Sequence, residues 1–177
     1  MSDSPKSVGY VGAIARHREH KDRILMIQRL EEPQVFSPPD GHCNGHSFST
    51  TCFVNFETKT GLRVIGVPRP LVLSRPIIQT KCSFKCSAHD LRVFEVDWIG
   101  ELKLMQDKVK WINWMRVEEI RELIHKTAKY LKGLKLAEQA EDQVLIDAIK
   151  KSVEKEWLES PGLDPVWTEA FQELKII

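Results

Sequence analysis

Four consecutive apolar residues near the start of the chain, Ile24-Leu25-Met26-Ile27, constrain the fold more than any other feature. Successive side chains of a strand point to opposite faces, so a continuous apolar run needs packing on both sides. A sheet with one solvated face would alternate apolar and polar residues instead. The run therefore predicts a strand over Arg23–Gln28 within a sheet that is covered on both faces.

The chain has two parts of different character. Residues 8–113 contain short apolar and β-branched runs separated by Pro and Gly, whereas residues 117–176 follow helical periodicity. We expect a single domain with a helical C-terminal extension. Further strands are predicted over Gly9–Ala15, Leu62–Val67, Leu71–Leu73, Ile78–Phe84, Leu91–Trp98 and Lys110–Trp114, and helices over Val117–Lys132 (ended by Gly133), Leu136–Leu158 and Trp167–Leu174.

A loop and a helix follow the apolar run. Glu31–Gly45 is predicted to be a loop without regular structure, because it contains three prolines and two glycines. Ser47–Thr60 is predicted to be a helix, because the apolar residues Phe48, Cys52 and Phe56 recur every four positions. Ser47 suits the N-cap, and Gly61 suits the residue that ends the helix.

The charge balance and the cysteines exclude several classes of protein. The 26 Lys and Arg residues face 25 Asp and Glu residues, so the formal charge of +1 gives no general attraction for nucleic acid or an anionic membrane. No apolar run reaches the roughly 18 residues of a membrane helix, and residues 1–8 lack a signal-peptide core, so a cytoplasmic location is expected. Cys82, Cys86 and His89 suggest zinc, but a strand would separate the two thiols by roughly 13 Å. We therefore expect neither a disulfide scaffold nor a zinc site.

The order of these segments resembles the Nudix hydrolase family. The resemblance is carried by Arg23–Arg29, the Pro/Gly loop, the helix that ends in Thr60-Gly61-Leu62, and the segment Lys110–Ile120, and it spans residues 9–125. It implies an α/β fold, a Nudix-like α/β/α sandwich around a mixed β-sheet. The domain would cover residues 1–130, and residues 131–177 would form the helical extension, packed on the same domain.

The family's sequence box is degenerate in this chain. The box reads G-x5-E-x7-R-E-U-x-E-E-x-G-U, with U an aliphatic or aromatic residue, and its spacing fits from Asp40 to Leu62 without a gap. Phe56, Gly61 and Leu62 keep the expected residue types. The remaining positions carry Asp40 for the first Gly, His46 for the first Glu, Val54-Asn55 for Arg-Glu, and Thr58-Lys59 for Glu-Glu.

These replacements bear on metal binding. In the family the glutamates of the box hold Mg²⁺ or Mn²⁺ against a diphosphate, and hard cations prefer anionic oxygen ligands. Here the corresponding positions offer an amide (Asn55), a hydroxyl (Thr58) and an ammonium (Lys59). The sequence therefore predicts no metal site, no cofactor and no metal-dependent diphosphate hydrolysis.

The box positions instead favour acid/base chemistry on a small organic molecule. A histidine exchanges a proton near neutral pH, so His46 is the candidate acid/base, supported by His42 and Glu57. Isomerisation, cyclisation or dehydration, as in specialised-metabolite biosynthesis, would fit this set. The substrate would contact Arg29, Asp40, Cys43, Asn55 and Lys59.

Two alternatives stay open. The first is a non-catalytic Nudix-like module that binds a ligand, an RNA or a protein partner, and the second is a divergent diphosphate hydrolase. His42 and His46 could also be polar loop residues, and Lys59 a solvated helix residue. A small molecule is the expected partner, nucleic acid and membrane are not, and the C-terminal extension could form a homodimer face or a lid.

Overall fold

The computed structural model describes residues 7–31, 34–75, 77–78 and 88–177. Within these described residues, the first part of the chain forms eight strands and one helix, which lies between the fourth and fifth strands, and the second part forms three helices. The strands are β1 (Ser7–Ile14), β2 (Arg23–Arg29), β3 (Phe36–Ser37), β4 (Asp40–His42), β5 (Arg63–Leu71), β6 (Ile77–Ile78), β7 (Ala88–Ile99) and β8 (Val109–Arg116). The helices are α1 (Phe48–Thr60), α2 (Val117–Gln139), α3 (Gln143–Glu159) and α4 (Pro165–Glu173).

The described strands form two sheets. The larger sheet has the order β4-β1-β7-β5, with β6 also paired to β7, and it is mixed because β1 and β7 are parallel while the other pairs are antiparallel. The smaller sheet is antiparallel, in the order β3-β2-β8. A bridge between Arg16 and Ile24 connects the beginning of β2 to the chain that leaves β1.

Strand β2 confirms the interpretation of the apolar run. Ile24, Leu25, Met26 and Ile27 all have no exposed surface. Ile24 and Met26 belong to one hydrophobic cluster and Leu25 to another, as the alternation of a strand requires. The two clusters lie on opposite sides of the sheets.

Helices cover both sides. On one side, α1 packs Cys52 and Phe56 against β1. On the other, α2 contributes Ile120 and Leu123, and α4 contributes Trp167 and other apolar side chains. The result is the predicted α/β/α arrangement. Ser47 caps α1 by accepting the Thr50 backbone N–H at 3.2 Å, and Gly61 ends it with a φ of 70°.

Three predictions about individual segments are wrong. The Pro/Gly loop contains β3 and β4, because its prolines at 38 and 39 lie between the two short strands. Helix α2 continues through Gly133, where the valine side chain of α3 at position 153 packs against the glycine. The predicted helix Leu136–Leu158 is interrupted at Ala140–Asp142, where Asp142 becomes the N-cap of α3.

Other predictions fall on residues that are not described. Most of the predicted strand Ile78–Phe84 and both cysteines of the rejected zinc motif, Cys82 and Cys86, lie outside the described residues. In the part of the chain that is described, no helix is long and apolar enough to span a membrane.

Candidate functional site

The carboxylate of Asp40 is the centre of a buried polar cluster where β4, β1 and α4 meet. Its Oδ2 atom accepts hydrogen bonds from the Tyr10 hydroxyl at 2.6 Å, the Trp167 indole N–H at 2.8 Å and the Arg29 guanidinium at 2.9 Å. Asp40 itself is 1% exposed. A buried carboxylate needs such partners, because its charge is otherwise expensive to remove from water.

Arg29 joins this carboxylate to a second one. The guanidinium lies at the end of β2 and contacts Asp164 at 2.6 Å in addition to Asp40, and it also donates to the Tyr10 hydroxyl. Asp164 is the N-cap of α4, where its side chain accepts the Val166 backbone N–H at 2.9 Å. Arg29 therefore fastens the C-terminal helix to the body of the fold.

Lys59 supplies the second cation from the last turn of α1. Its Nζ atom donates to the backbone carbonyl of Asp40 and lies 3.7 Å from the Asp40 carboxylate. Only 20% of its side chain is exposed. Burial lowers the pKa of Lys59, although Asp40 opposes that shift. Lys59 is therefore a partly buried ion-pair partner and not a solvated residue.

The charges of the cluster shift one another's pKa values. Burial alone would raise the pKa of Asp40, but Arg29, Lys59 and the hydrogen bonds from Tyr10 and Trp167 outweigh it, so that this pKa lies below the ordinary value. Burial would lower the pKa of Arg29, yet Asp40 and Tyr10 hold it well above its ordinary value. Burial, against the opposing effect of Arg29, raises the pKa of Tyr10. Asp40 and Arg29 thus each favour the charged form of the other.

Trp167 fills the space beside β1. A Cβ atom added to Gly12 would lie 2.0 Å from the Trp167 ring, so the ring rests directly on the glycine backbone. The indole has no exposed surface. An aromatic side chain from α4 therefore occupies the face of β1 next to Asp40.

Two histidines flank Tyr10 on the neighbouring strands. The ring centroids of His42 and His89 lie 4.9 Å and 5.1 Å from that of Tyr10, and 5.4 Å from each other. Burial, followed by the neighbouring His89, lowers the pKa of His42 to about 4, and burial also lowers the pKa of His89. Both imidazoles are therefore neutral at physiological pH.

The structure brings only some of the predicted site residues together. Arg29, Asp40 and Lys59 form the cluster, and His42 lies next to it. His46 is exposed in the turn before α1, where its backbone N–H donates to the Cys43 carbonyl at 2.8 Å.

The other predicted residues make structural contacts. The Glu57 carboxylate accepts the Val64 backbone N–H at 3.0 Å and so ties α1 to β5. The amide of Asn55 packs against the backbone of Gly41. Cys43 is buried, and burial raises the pKa of its thiol. The catalytic role of His46 and the supporting roles of the other residues stay predictions.

The residues at the metal positions of the box do not fit a divalent cation. Asn55 and Thr58 are neutral, and the Thr58 hydroxyl already donates to the Val54 carbonyl at 2.6 Å. The Lys59 ammonium is itself a cation and would repel one. Among the described residues, no group of three or more His, Cys, Asp or Glu side chains is arranged to hold a metal ion.

Sequence reasoning missed three residues of the cluster, Tyr10, Asp164 and Trp167, and also His89 beside it. One local signal was available: Asp164-Pro165 is a typical helix start, with an N-cap followed by Pro at the first helical position. This signal predicts where α4 begins in the sequence, but it does not predict that α4 packs against Asp40.

A concave site that is separate from the Asp40 cluster lies beside β5 and β7 of the larger sheet. A surface cavity of about 400 Å³ is lined by four cationic side chains, two carboxylates and three apolar side chains, one of which is Trp98. Arg18 lies over the Trp98 ring, 4.8 Å from its centroid, and donates to the Trp98 backbone carbonyl. The cations are Arg16, Arg18, Lys21 and Arg69, and the carboxylates are Glu95 and Asp97.

Comparison with solved structures identifies the fold class. The chain is similar to a MutT Nudix hydrolase from Burkholderia pseudomallei, with a TM-score of 0.52 and 15% identity over 64% of this chain and 85% of the other. It is also similar to the MutT protein of Methanosarcina mazei, with a TM-score of 0.52 and 17% identity over 67% of this chain and 83% of the other. The similarity to the ORF135 protein of E. coli has a TM-score of 0.50 and 18% identity over 67% of this chain and 80% of the other. No family model and no curated protein matches the sequence.

The chain therefore has a Nudix-like fold, which confirms the fold predicted from the segment order. Its mixed sheet and its helical layers agree with that class. At identities this low the likeness concerns the fold and not the activity.

Proposed function

We propose that this Nudix-fold protein does not hydrolyse diphosphates with a metal and instead serves as a binding module for an anionic small molecule. One observation carries the first half of the proposal. Where the family has a metal-binding carboxylate, Lys59 forms an ion pair with the buried Asp40. A divalent cation needs anionic oxygen ligands at that position, and the positive charge of Lys59 repels it instead.

Two further observations favour binding over acid/base catalysis. His46 and Glu57 lie apart from the Asp40 cluster: one is in an exposed turn, and the other holds the backbone of β5. The space beside Gly12 contains the Trp167 ring and not an open pocket. A general acid/base must lie within hydrogen-bond distance of its substrate. His46, Glu57 and the Asp40 cluster do not surround one position where a substrate could contact all of them.

The binding surface that we assign is the cavity next to Trp98. Asp97 and Glu95 pair with Arg69 at 2.6 Å and 3.3 Å, and Glu95 also lies 3.5 Å from Arg16. Arg18 donates to a neutral carbonyl, so its charge is left for a ligand. Four cations against two carboxylates favour an anion, and guanidinium groups bind phosphate oxygens well.

The metal claim is tested by titrating the protein with Mg²⁺ and with Mn²⁺ in a calorimeter. We expect no binding in the micromolar range, and no phosphate release from nucleoside diphosphate derivatives beyond that of a protein-free blank. The variant Lys59→Met removes the repelling ammonium and serves as the matched comparison. Micromolar metal binding by the wild type, or product formation that a chelator abolishes, would contradict the proposal.

The anion claim is tested with inorganic pyrophosphate, followed by tryptophan fluorescence and calorimetry. We expect Arg18→Gln to raise the dissociation constant about tenfold or more, because it removes a charge-assisted hydrogen bond. Arg63→Gln is the control, because Arg63 is exposed on β5 and does not line the cavity. Equal affinity in the wild type and Arg18→Gln, or no binding by the wild type, would reject this surface.

A further inference from the structure

Helices α2 and α3 form an antiparallel hairpin, called here the α2–α3 hairpin. Tyr130 stacks on Trp157 with ring centroids 4.3 Å apart, Lys129 pairs with Glu156, and Val153 packs on Gly133. These contacts fix which residues of the two helices lie at the same level. Of the 17 residues of α3, all of which are described, Trp157 is the one that is buried.

Contacts with the rest of its own chain contribute little to the stability of α3. Most helical stability in proteins comes from packing an apolar face, and a single buried side chain supplies little of it. At the same time, four large apolar side chains in the outer part of the hairpin are exposed, and Val144 is exposed by 78%. The other three are Leu131, Leu136 and Leu145. These side chains offer apolar area for burial against a further chain.

The charges of the hairpin lie in two separate bands. Its tip, residues 138–148, carries four acidic residues and no basic one: Glu138, Glu141, Asp142 and Asp147. The middle band, residues 131–137 and 149–155, carries five lysines and one acidic residue: Lys132, Lys135, Lys150, Lys151 and Lys155, with Glu154. The tip is therefore strongly negative, and the band next to it is equally positive.

This arrangement is complementary to itself. If two hairpins lie antiparallel, with the tip of one on the middle band of the other, each negative band meets a positive band twice around a two-fold axis. The exposed leucines and Val144 fall in the same overlap, because all four lie between residues 131 and 145. Two-fold contacts of one surface with its own copy are the commonest form of protein oligomer.

We infer that the occupant of this surface is a second copy of this chain, docked through the α2–α3 hairpin with tip against middle band. Opposite charges set the antiparallel orientation, and the exposed apolar side chains supply the buried area. The inference does not depend on the proposed function, because the hairpin shares no residue with the Asp40 cluster or with the cavity beside Trp98.

The test uses two charge-reversed full-length chains. One reverses the tip with Glu138→Lys and Glu141→Lys, and the other reverses the middle band with Lys132→Glu and Lys135→Glu. All four side chains are exposed, so we expect both variants to fold, which circular dichroism will check. Asp142 is left unchanged because it caps α3.

The wild type should sediment as a species of twice 20.4 kDa in the micromolar range. Each variant alone should dissociate with a dissociation constant raised at least about tenfold, because like charges then face each other. An equimolar mixture of the two variants should recover the two-chain species, since each altered band now meets an opposite one. A fourth chain with Arg63→Glu and Lys108→Glu, away from the hairpin, should associate like the wild type.

A wild type that is monomeric throughout the micromolar range overturns the inference. This result would also be obtained if a different protein, and not a second copy of this chain, covered the α2–α3 hairpin. Variants that associate as tightly as the wild type also overturn it, and so does a mixture that stays monomeric. Recovery in the mixture supports it, because a general loss of stability cannot be repaired by a second damaged chain.

Discussion

Trp167→Ala is expected to lower the free energy of unfolding by about 4 kcal/mol, the usual cost of deleting a large buried aromatic side chain. The indole is fully buried, and its N–H donates to Asp40 at 2.8 Å. Trp167→Phe keeps an aromatic ring but loses the N–H donor and the volume of the five-membered ring, so we expect a smaller cost of about 2–3 kcal/mol. Chemical denaturation followed by circular dichroism measures both values.

The same experiment can show that the ring rests on Gly12. Gly12→Ala places a Cβ atom 2.0 Å from the Trp167 ring and should cost about 1–3 kcal/mol, as overpacking does in a closed core. In the Trp167→Ala background the alanine at position 12 should be nearly free of cost, because the obstructing ring is gone. Additive effects of the two changes would show that the ring lies elsewhere.

Asp40→Asn is expected to lower the free energy of unfolding by about 3–5 kcal/mol at pH 7, because it leaves two largely buried cations with one carboxylate fewer. Arg29 and Lys59 are 25% and 20% exposed. Adding Lys59→Met to Asp40→Asn should recover part of the loss, since it removes one of the uncompensated charges. Denaturation of the three proteins at pH 7 gives these differences.

Asp97→Asn is the matched control. Asp97 pairs with Arg69 at 2.6 Å, but both side chains are more than half exposed, so the change should cost less than about 1 kcal/mol. If Asp40→Asn were as harmless as Asp97→Asn, the cluster would not contribute to stability in the way that its burial indicates.

The pH dependence of this effect has a definite sign. The pKa of Asp40 is lower in the folded protein than in the unfolded chain, so the carboxylate stabilises the fold above the unfolded pKa of about 3.9. That contribution is lost as the pH falls through the lower, folded value. The difference in stability between the wild type and Asp40→Asn should therefore be constant near neutrality and shrink below about pH 4.

The parts of the fold that sequence could predict are those with a regular local pattern. Ile24–Ile27 is apolar at every position, and the strand is buried on both faces. The four-residue spacing of Phe48, Cys52 and Phe56 predicted α1 to within one residue. In both places the local pattern and the packing agree, which is the condition for a reliable prediction.

Predictions failed where packing decides against local preference. Gly133 normally weakens a helix, but here a larger side chain would collide with Val153, which lies 2.6 Å from where its Cβ would be. The loop prolines did not prevent β3 and β4, because those strands are only two and three residues long and the prolines lie outside them. No composition rule resolves strands that short.

The candidate site was predictable only in part. Box spacing located Asp40 and Lys59, and the end of the apolar strand located Arg29. Trp167 and Asp164 join them from a helix that begins more than a hundred residues later, and no periodicity connects positions so far apart. Their presence turns a set of candidate substrate contacts into an internal ion-pair network.

The distance along the chain between Asp40 and Trp167 also has a kinetic meaning. The core beside β1 cannot close until residue 167 is available, and the backbone of Phe36 is likewise paired with Gly162 and Asp164. During synthesis, a polypeptide that already contains both sheets would still display an uncovered apolar face, and Arg29 would lack its contact with Asp164. Contacts of such long sequence separation slow folding, and an unfinished chain of this kind is a natural client for chaperones.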